Sequence, residues 1–138
     1  MSPARTGRTQ PCSEAQAQTR LEHARKLQEV AELTAAETDP DYTSVAAALA
    51  VLAGIAASDA ACCKALGRRS RGQDHHAAED LVRQIEPGGK DAANALRRLI
   101  NMKDEAHYGL LDVSGKDLQA AARQSRALVR FAESILHR

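Results

Sequence analysis

The run from Val45 to Ala57 is apolar at every position except Gly54 and consists mostly of alanine. Alanine has the highest helix propensity of all residues, and its small side chain lets neighbouring helices approach closely. A membrane-spanning helix needs about 18 or more uninterrupted apolar residues, so this run is too short to predict a span. The run therefore predicts the central helix of a helical bundle.

The aromatic content excludes several classes of protein. The 138 residues include no Trp, one Phe and two Tyr, whereas β-sandwiches and barrels are rich in aromatic and β-branched residues. Nucleic-acid platforms of the RRM or OB type also need aromatic rings on which bases stack. The net charge is only +1, so no strong global field for nucleic acid or anionic membrane exists. We predict one all-α domain.

Helix start and stop signals divide the chain into five helices and no strand. We interpret residues 1–13 as a disordered leader and residues 14–138 as the helical domain. Ser13 and Ser114 are expected N-caps, Pro40 ends the first helix, and Gly67 is a typical left-handed stop. Short connections predict antiparallel neighbours in an up-and-down bundle. The predicted helices run over residues 14–36, 43–66, 73–86, 90–109 and from about 114 to the end.

A stripe with alternating spacings of four and three residues follows the second predicted helix. Its members are typical of a bundle-facing stripe, with one charged exception. We expect the helix to pack through this stripe and, given the many alanines, part of the surface to contact a second subunit in a homodimer. The stripe consists of Val45, Leu49, Leu52, Ala56, Asp59, Cys63 and Leu66.

The three cysteines, Cys12, Cys62 and Cys63, form a poor disulfide framework because their number is odd and two are adjacent. The sequence contains no CxxC pair. We expect Cys62 and Cys63 to be small buried side chains in a reducing cytoplasm. No metal site and no cofactor are predicted.

Polar residues on apolar helix faces supply the candidate chemistry. Leu96, Ile100, Lys103 and His107 are spaced by four, three and four, so the last two lie one turn apart on the packing side. Asp59 occupies the stripe of the second helix. Two further residues complete the candidate group: His75, expected to point inward from the third helix, and Tyr108, next to His107.

Two interpretations of this group are open. In the structural one, Asp59 pairs with Lys103, and the histidines bond to carboxylates or carbonyls, because buried charges need partners. In the functional one, the same groups line a cleft. His107 moves a proton, Lys103 contacts a phosphate or a developing negative charge, and Asp59 and His75 orient them. Such a cleft suits metal-independent RNA cleavage, in which the 2′-hydroxyl attacks, or simple phosphate binding.

Charge is unevenly distributed along the chain. The segment from Lys64 to Arg71 carries four bases and no acid. Ordinary solvated surface is one interpretation. The other is a phosphate-contacting surface formed by Arg68, Arg69 and Arg71 with arginines of the last helix.

Three segments together resemble HEPN domains: Ser58-Asp59 in the alanine-rich helix, Gly67-Arg-Arg-Ser-Arg-Gly-Gln-Asp-His75, and Lys103-Asp-Glu-Ala-His-Tyr-Gly109. The resemblance covers about residues 42–138 and is closest to an actinobacterial branch of uncharacterised role. It implies an up-and-down bundle of four or five helices that forms a homodimer. Many members are metal-independent endoribonucleases in toxin–antitoxin, phage-defence or RNA-processing systems, which implies RNA and a cognate antitoxin or other protein as partners.

The resemblance also implies residue roles. The family motif is an arginine, four to six residues, and a histidine. His107 matches the motif histidine and Tyr108 a tyrosine that often follows it, whereas Asn101 and Met102 stand where the arginine is expected. Lys103 is the nearest substitute, although lysine lacks the planar fork of arginine. We therefore expect an RNA-associated protein, either an endoribonuclease toxin or defence component, or a non-catalytic dimeric interaction or ligand-binding module.

Overall fold

A computed structural model describes residues 8–71, 75–108 and 113–138, without the side chains of His75 and residues 104–108. The fold is a mostly helical bundle, which confirms the predicted all-α class. The helices are α1 (Glu14–Ala35), α2 (Asp41–Leu66), α3 (His75–Arg83), α4 (Gly89–Tyr108) and α5 (Gly115–Leu136), and two short strands are β1 (Thr9–Pro11) and β2 (Arg68–Ser70).

The predicted caps Ser13, Ser114 and Gly67 are confirmed, whereas Pro40, expected to end the first helix, is the N-cap of α2, and α1 already ends at Ala35. Ser13 caps α1 in a capping box with Gln16, and Ser114 caps α5 in the same way with Asp117. Each serine hydroxyl accepts a hydrogen bond from a backbone N–H that has no partner within the helix. Gly67 ends α2 with a φ of 70°, a conformation that favours glycine. The third helix ends at Arg83, earlier than the sequence pattern predicts.

Three contacts fix the directions of the long helices. Arg20 of α1 pairs with Asp59 near the end of α2, so α1 and α2 are antiparallel. The Val113 N–H donates to the Ser44 hydroxyl, which brings the start of α5 to the start of α2. The Arg138 guanidinium donates to the Glu86 carbonyl, so the end of α5 meets the start of α4. Helices α1, α2, α4 and α5 therefore form an up-and-down bundle.

Alanine, rather than the larger apolar residues, makes the packing face of α2. Ala46, Ala50, Ala53 and Ala57 are buried among the other helices. A Cβ added at Gly54 would clash with the Leu99 Cδ1, so α2 and α4 approach closely there. Such close approach needs small side chains between the helices.

The predicted stripe of α2 is therefore wrong in its first half. Val45 is 50% exposed and Leu52 is 45% exposed, while Leu49 is half-buried. The alanine face occupies the core, so the larger residues on the adjacent face remain outside. In the second half of α2, the stripe residues Ala56 and Cys63 are buried as expected.

The chain before α1 corrects two expectations. Residues 8–13, assigned to a disordered leader, are placed: β1 pairs with β2 in an antiparallel ribbon, with Gln10 opposite Arg69. The expected absence of strands is wrong for the same reason. The Cys12 N–H also donates to the Gly67 carbonyl, which joins the ribbon to the end of α2. Three-residue strands lack periodic patterning, so the sequence gives little signal for them.

Within the part of the chain that the structure describes, α2 is long and apolar enough to cross a membrane by length and composition alone. However, 67% of its most apolar window is buried inside the bundle. The core helix of a globular bundle passes the same test, and the contacts of α2 with α1, α4 and α5 give it that position.

Candidate functional site: the disulfide end of the bundle

A disulfide joins Cys12 to Cys63, with a Cα–Cα distance of 5.4 Å. Cys12 precedes α1, and Cys63 lies in the last turn of α2, so the antiparallel pairing of these helices brings the two together. The expectation that the cysteines form no disulfide is therefore wrong. The odd cysteine is Cys62, which is free and buried. Burial and the nearby Asp59 raise the pKa of the Cys62 thiol to about 12, whereas Arg68 lowers it.

Asp59 pairs with Arg20, not with Lys103. The Arg20 guanidinium donates from both Nε and Nη2 to the Asp59 Oδ2, at 3.3 and 3.2 Å. The Asp59 side chain is 15% exposed. Burial raises the pKa of Asp59, and the charges of Arg20 and Arg69 oppose this rise. The structural interpretation correctly predicted that the Asp59 carboxylate pairs with a cation. It was wrong about the partner, which is Arg20 rather than Lys103.

Arginines cluster on the β1–β2 ribbon. Arg68 and Arg69 lie in β2, and the Arg71 N–H donates to the Arg8 carbonyl beside it. Arg69 donates to the Gln10 side chain and to the Ser70 carbonyl. Among the described residues, none of these four arginines forms an ion pair at 4.0 Å or closer. We call residues Arg8, Arg68, Arg69 and Arg71 the arginine ribbon.

A pocket of about 430 Å³ opens beside the disulfide. Both Cys12 and Cys63 line it, and no acidic residue is among the described residues of its wall. Cys12 is half-buried, whereas Cys63 is 4% exposed. We call this cavity the Cys12 pocket. Apart from Pro11, its remaining lining residues supply cationic, imidazole, amide and hydroxyl groups: Gln10, Gln16, Thr19, Arg20, His23 and Arg69.

The structure separates the residues that sequence analysis grouped together. Gly54 of α2 faces Leu99 of α4, and the two helices run in opposite directions. At about 1.5 Å per residue, Asp59 lies about 7 Å beyond Gly54 and Lys103 lies about 6 Å beyond Leu99 in the opposite direction. Asp59 and Lys103 are therefore about 13 Å apart along the bundle, and the two do not share a site within one chain.

The remaining catalytic candidates are only partly described. Lys103 is half-buried, and Leu96 and Ile100, on the same face of α4, are buried as expected. The side chains of His75, His107 and Tyr108 lie outside the described residues. The backbone of α4 reaches Tyr108 close to the start of α5, which contacts Ser44 of α2. His107 thus belongs to the end of the bundle opposite the arginine ribbon.

That opposite end, which we call the turn end because α1 and α2 connect there, has its own groove. The groove has a volume of about 460 Å³ and lies between α1, α2 and α5. Ser125, 1% exposed, contributes to its wall, and its hydroxyl has no hydrogen-bond partner among the described residues. Glu32 and Arg126 also contribute to this groove.

Cys12, Arg8 and Arg20 are not among the site residues predicted from the sequence. The first two fall in the segment assigned to a disordered leader. Arg20 reads as one more exposed cation on α1, and only the antiparallel packing of α1 on α2 shows its partner. An acid on a bundle stripe does signal a required cation nearby, but the identity of the cation depends on the packing.

No cluster of three or more His, Cys, Asp or Glu that could hold a metal ion occurs among the described residues. Comparison of the chain with known protein families, curated proteins and solved structures finds no match.

Proposed function

We propose that this chain is an RNA-associated protein that contacts RNA phosphates through the arginine ribbon. The observation that carries the proposal is the set of four arginines on the ribbon, Arg68 and Arg69 within β2 and Arg8 and Arg71 beside the paired strands, none of which forms an ion pair at 4.0 Å or closer among the described residues. Arginine presents a planar fork of donors that matches phosphate oxygens. Because few aromatic side chains exist to stack on bases, the proposed contact is to the backbone rather than to the sequence.

Salt dependence tests this contact. Binding of labelled single-stranded RNA is measured by fluorescence anisotropy at several salt concentrations. Replacing Arg68 and Arg71 with Gln removes two phosphate contacts, so we expect affinity to fall about tenfold and the salt slope to fall by about 1.4. The matched control replaces Arg97 and Arg98 of α4, adjacent arginines away from the ribbon. Equal affinities of the two double variants, or no RNA binding by the wild type, would overturn the proposal.

Cleavage of RNA by a HEPN-like site is a second candidate, favoured by the position of Lys103 and His107 on one face of α4 near the turn end. We propose His107 as the proton donor or acceptor and Lys103 as the phosphate contact. In this version Asp59 does not orient them, since it pairs with Arg20 about 13 Å away along the axis. The RNA would then extend from the arginine ribbon along the bundle.

A metal-free assay separates the two versions. Labelled RNA is incubated with chelator and wild-type protein, beside His107→Ala. Loss of cleavage in the variant, with RNA binding retained, supports the endoribonuclease. Intact RNA with both proteins at high concentration rejects it and leaves a non-catalytic binding module.

Homodimerisation is part of the proposal. Tyr42, Val45 and Leu52 are exposed on one face of α2, with Leu49 half-buried between them, and Leu33 is exposed on α1. A second copy of the chain that covers this face would bury these apolar side chains. A sedimentation mass of one chain, or an unchanged dimer in the Val45→Glu, Leu52→Glu double variant, would remove this part of the proposal.

Cytoplasmic location is likewise proposed, because RNA substrates are found there. A cognate antitoxin or another protein partner belongs to the same proposal. In a reducing cytoplasm the Cys12–Cys63 disulfide would meet thiols that can reduce it. The residues around the disulfide then determine which thiols reach it.

A further inference from the structure

The Cys12–Cys63 disulfide is part of the wall of a pocket, not of the core. Structural disulfides resist exchange when thiols cannot reach them, whereas accessible ones are the labile and regulatory ones. Cys12 is half-buried beside a cavity of about 430 Å³, and Cys63 is almost fully buried. Of the two cysteines, Cys12 is therefore the more accessible to an incoming thiolate.

The lining of the Cys12 pocket selects the kind of thiol. Arg20, Arg69 and His23 contribute positive or protonatable groups, and none of the described lining residues is acidic. Asp59 is not among the lining residues and is paired with Arg20. Amide and hydroxyl groups of Gln10, Gln16 and Thr19 complete the wall. The cavity volume lies within the range of about 300–1,000 Å³ typical of small-molecule sites.

We propose that the Cys12 pocket is a thiol–disulfide exchange site for a small peptide-like thiol that carries carboxylates. The carboxylates bind the guanidinium groups of Arg20 and Arg69, and the peptide groups bond to the amide side chains. This inference rests on the pocket and does not depend on RNA binding.

The reaction balances with two molecules of the thiol as the reductant. The first thiolate attacks the Cys12 Sγ, the Cys12–Cys63 bond breaks, and Cys63 leaves as a thiolate that takes a proton from solvent. The product is a mixed disulfide on Cys12. A second thiolate attacks the thiol-derived sulfur of that mixed disulfide, which releases the oxidised thiol dimer and leaves Cys12 reduced.

The neighbouring Cys62 stays out of the exchange. Its buried side chain remains a neutral thiol at neutral pH because its pKa is raised to about 12, and the thiolate is the attacking form. Exchange at Cys12 removes the covalent link between the residue that follows β1 and the end of α2. The strand is then held by the backbone bonds of a two-stranded ribbon, which is only marginally stable by itself. The oxidation state of Cys12 therefore affects how firmly the strands that carry the arginine ribbon are held to α2.

The experiment compares two thiols on the oxidised full-length protein. Exchange rates with glutathione, a tripeptide thiol with two carboxylates, and with neutral 2-mercaptoethanol are measured by acid quenching and mass spectrometry. Each rate is divided by the thiolate concentration. We expect the glutathione-to-mercaptoethanol rate ratio to exceed that of a small-molecule disulfide by about tenfold, and to fall to the small-molecule value at about 1 M salt. Peptide mapping is expected to find the adduct on Cys12.

Variants identify the cause of the preference. Arg69→Gln, which leaves the Arg20–Asp59 pair intact, is expected to lower the glutathione rate several-fold and the mercaptoethanol rate by less, because mercaptoethanol brings only the charge of its thiolate. Arg69→Lys is expected to restore part of the glutathione rate. The matched controls are Arg97→Gln and Cys62→Ser, with wild-type ratios. An unchanged ratio in Arg69→Gln, an adduct on Cys63, or reaction only in denaturant would each overturn the inference. None of these outcomes bears on the RNA measurement.

Discussion

The two ends of α2 differ in how they are held and in what they expose. At the disulfide end, a covalent bond, the Arg20–Asp59 pair and a Lys64–Glu14 ion pair tie α2 to the chain before and within α1. At the turn end, apolar side chains of α1 and α2 face outward. The disulfide and its neighbouring cations therefore lie at one end and exposed apolar side chains at the other, and this difference underlies our proposals of ligand binding at the first and subunit contact at the second.

The largest expected effect concerns the covalent tie. Cys12→Ser opens a loop with a sequence separation of 51 residues, so the unfolded chain regains conformational freedom worth about 4 kcal/mol in the chain-entropy model. The free energy of unfolding is measured by urea titration of the oxidised proteins. Cys62→Ala is the matched control, and we expect it to lose only about 1 kcal/mol, the cost of a small buried side chain.

A reducing agent sharpens this prediction. With an excess of dithiol, wild type and Cys12→Ser should unfold at the same urea concentration. A wild type that remains more stable than the variant in dithiol would show that the serine, rather than the lost bond, causes the difference.

Two leucines on α1 test the contrast between the ends directly. Leu21, near the disulfide end, is 1% exposed, and Leu33, near the turn end, is 66% exposed. Leu21→Ala leaves a cavity and should cost about 3 kcal/mol, whereas Leu33→Ala should change stability by less than about 0.5 kcal/mol in the monomer. Thermal or urea unfolding at low protein concentration measures both. Similar losses for the two variants would contradict the assigned difference in packing.

Helix positions and caps could be predicted from the sequence because their signals are local. Ser13, Ser114 and Gly67 each act through the backbone of their own helix terminus, so reading a few neighbouring residues is sufficient. The all-α class follows from periodicity in the same way.

The candidate site could not be predicted because its parts come from distant segments. Cys12, Arg20 and Arg69 meet Cys63 and Asp59 only after α1 packs against α2. Helical spacing places Asp59 on a buried face but carries no information on which neighbouring helix supplies the cation. The stripe prediction for α2 was wrong in its first half because a periodicity argument places the large apolar residues in the core. In α2 the close packing of helices instead requires the small alanine residues there.

The smallest expected effect concerns Asp59. Burial raises its pKa in the folded protein despite Arg20, so the folded state holds this proton more tightly than the unfolded state. This tighter proton binding stabilises the folded protein fully at pH values below the pKa of the unfolded state, about 3.9. The stabilisation is lost as the pH rises through the higher pKa of the folded state. Asp59→Asn has no carboxyl group at this position, so its free energy of unfolding should not show this decrease with rising pH.

At pH 7 the variant should therefore match the wild type within about 1 kcal/mol, since removal of a costly buried charge offsets the lost pair with Arg20. Urea unfolding between pH 3 and pH 7 measures both proteins, and Asp80→Asn, at an exposed acid on α3, is the control. A large destabilisation of Asp59→Asn at pH 7 would mean that the ion pair with Arg20 outweighs burial. The Arg20–Asp59 pair would then stabilise the disulfide end in addition to the covalent bond. The two ends would differ more in how firmly they are held than the raised pKa of Asp59 implies.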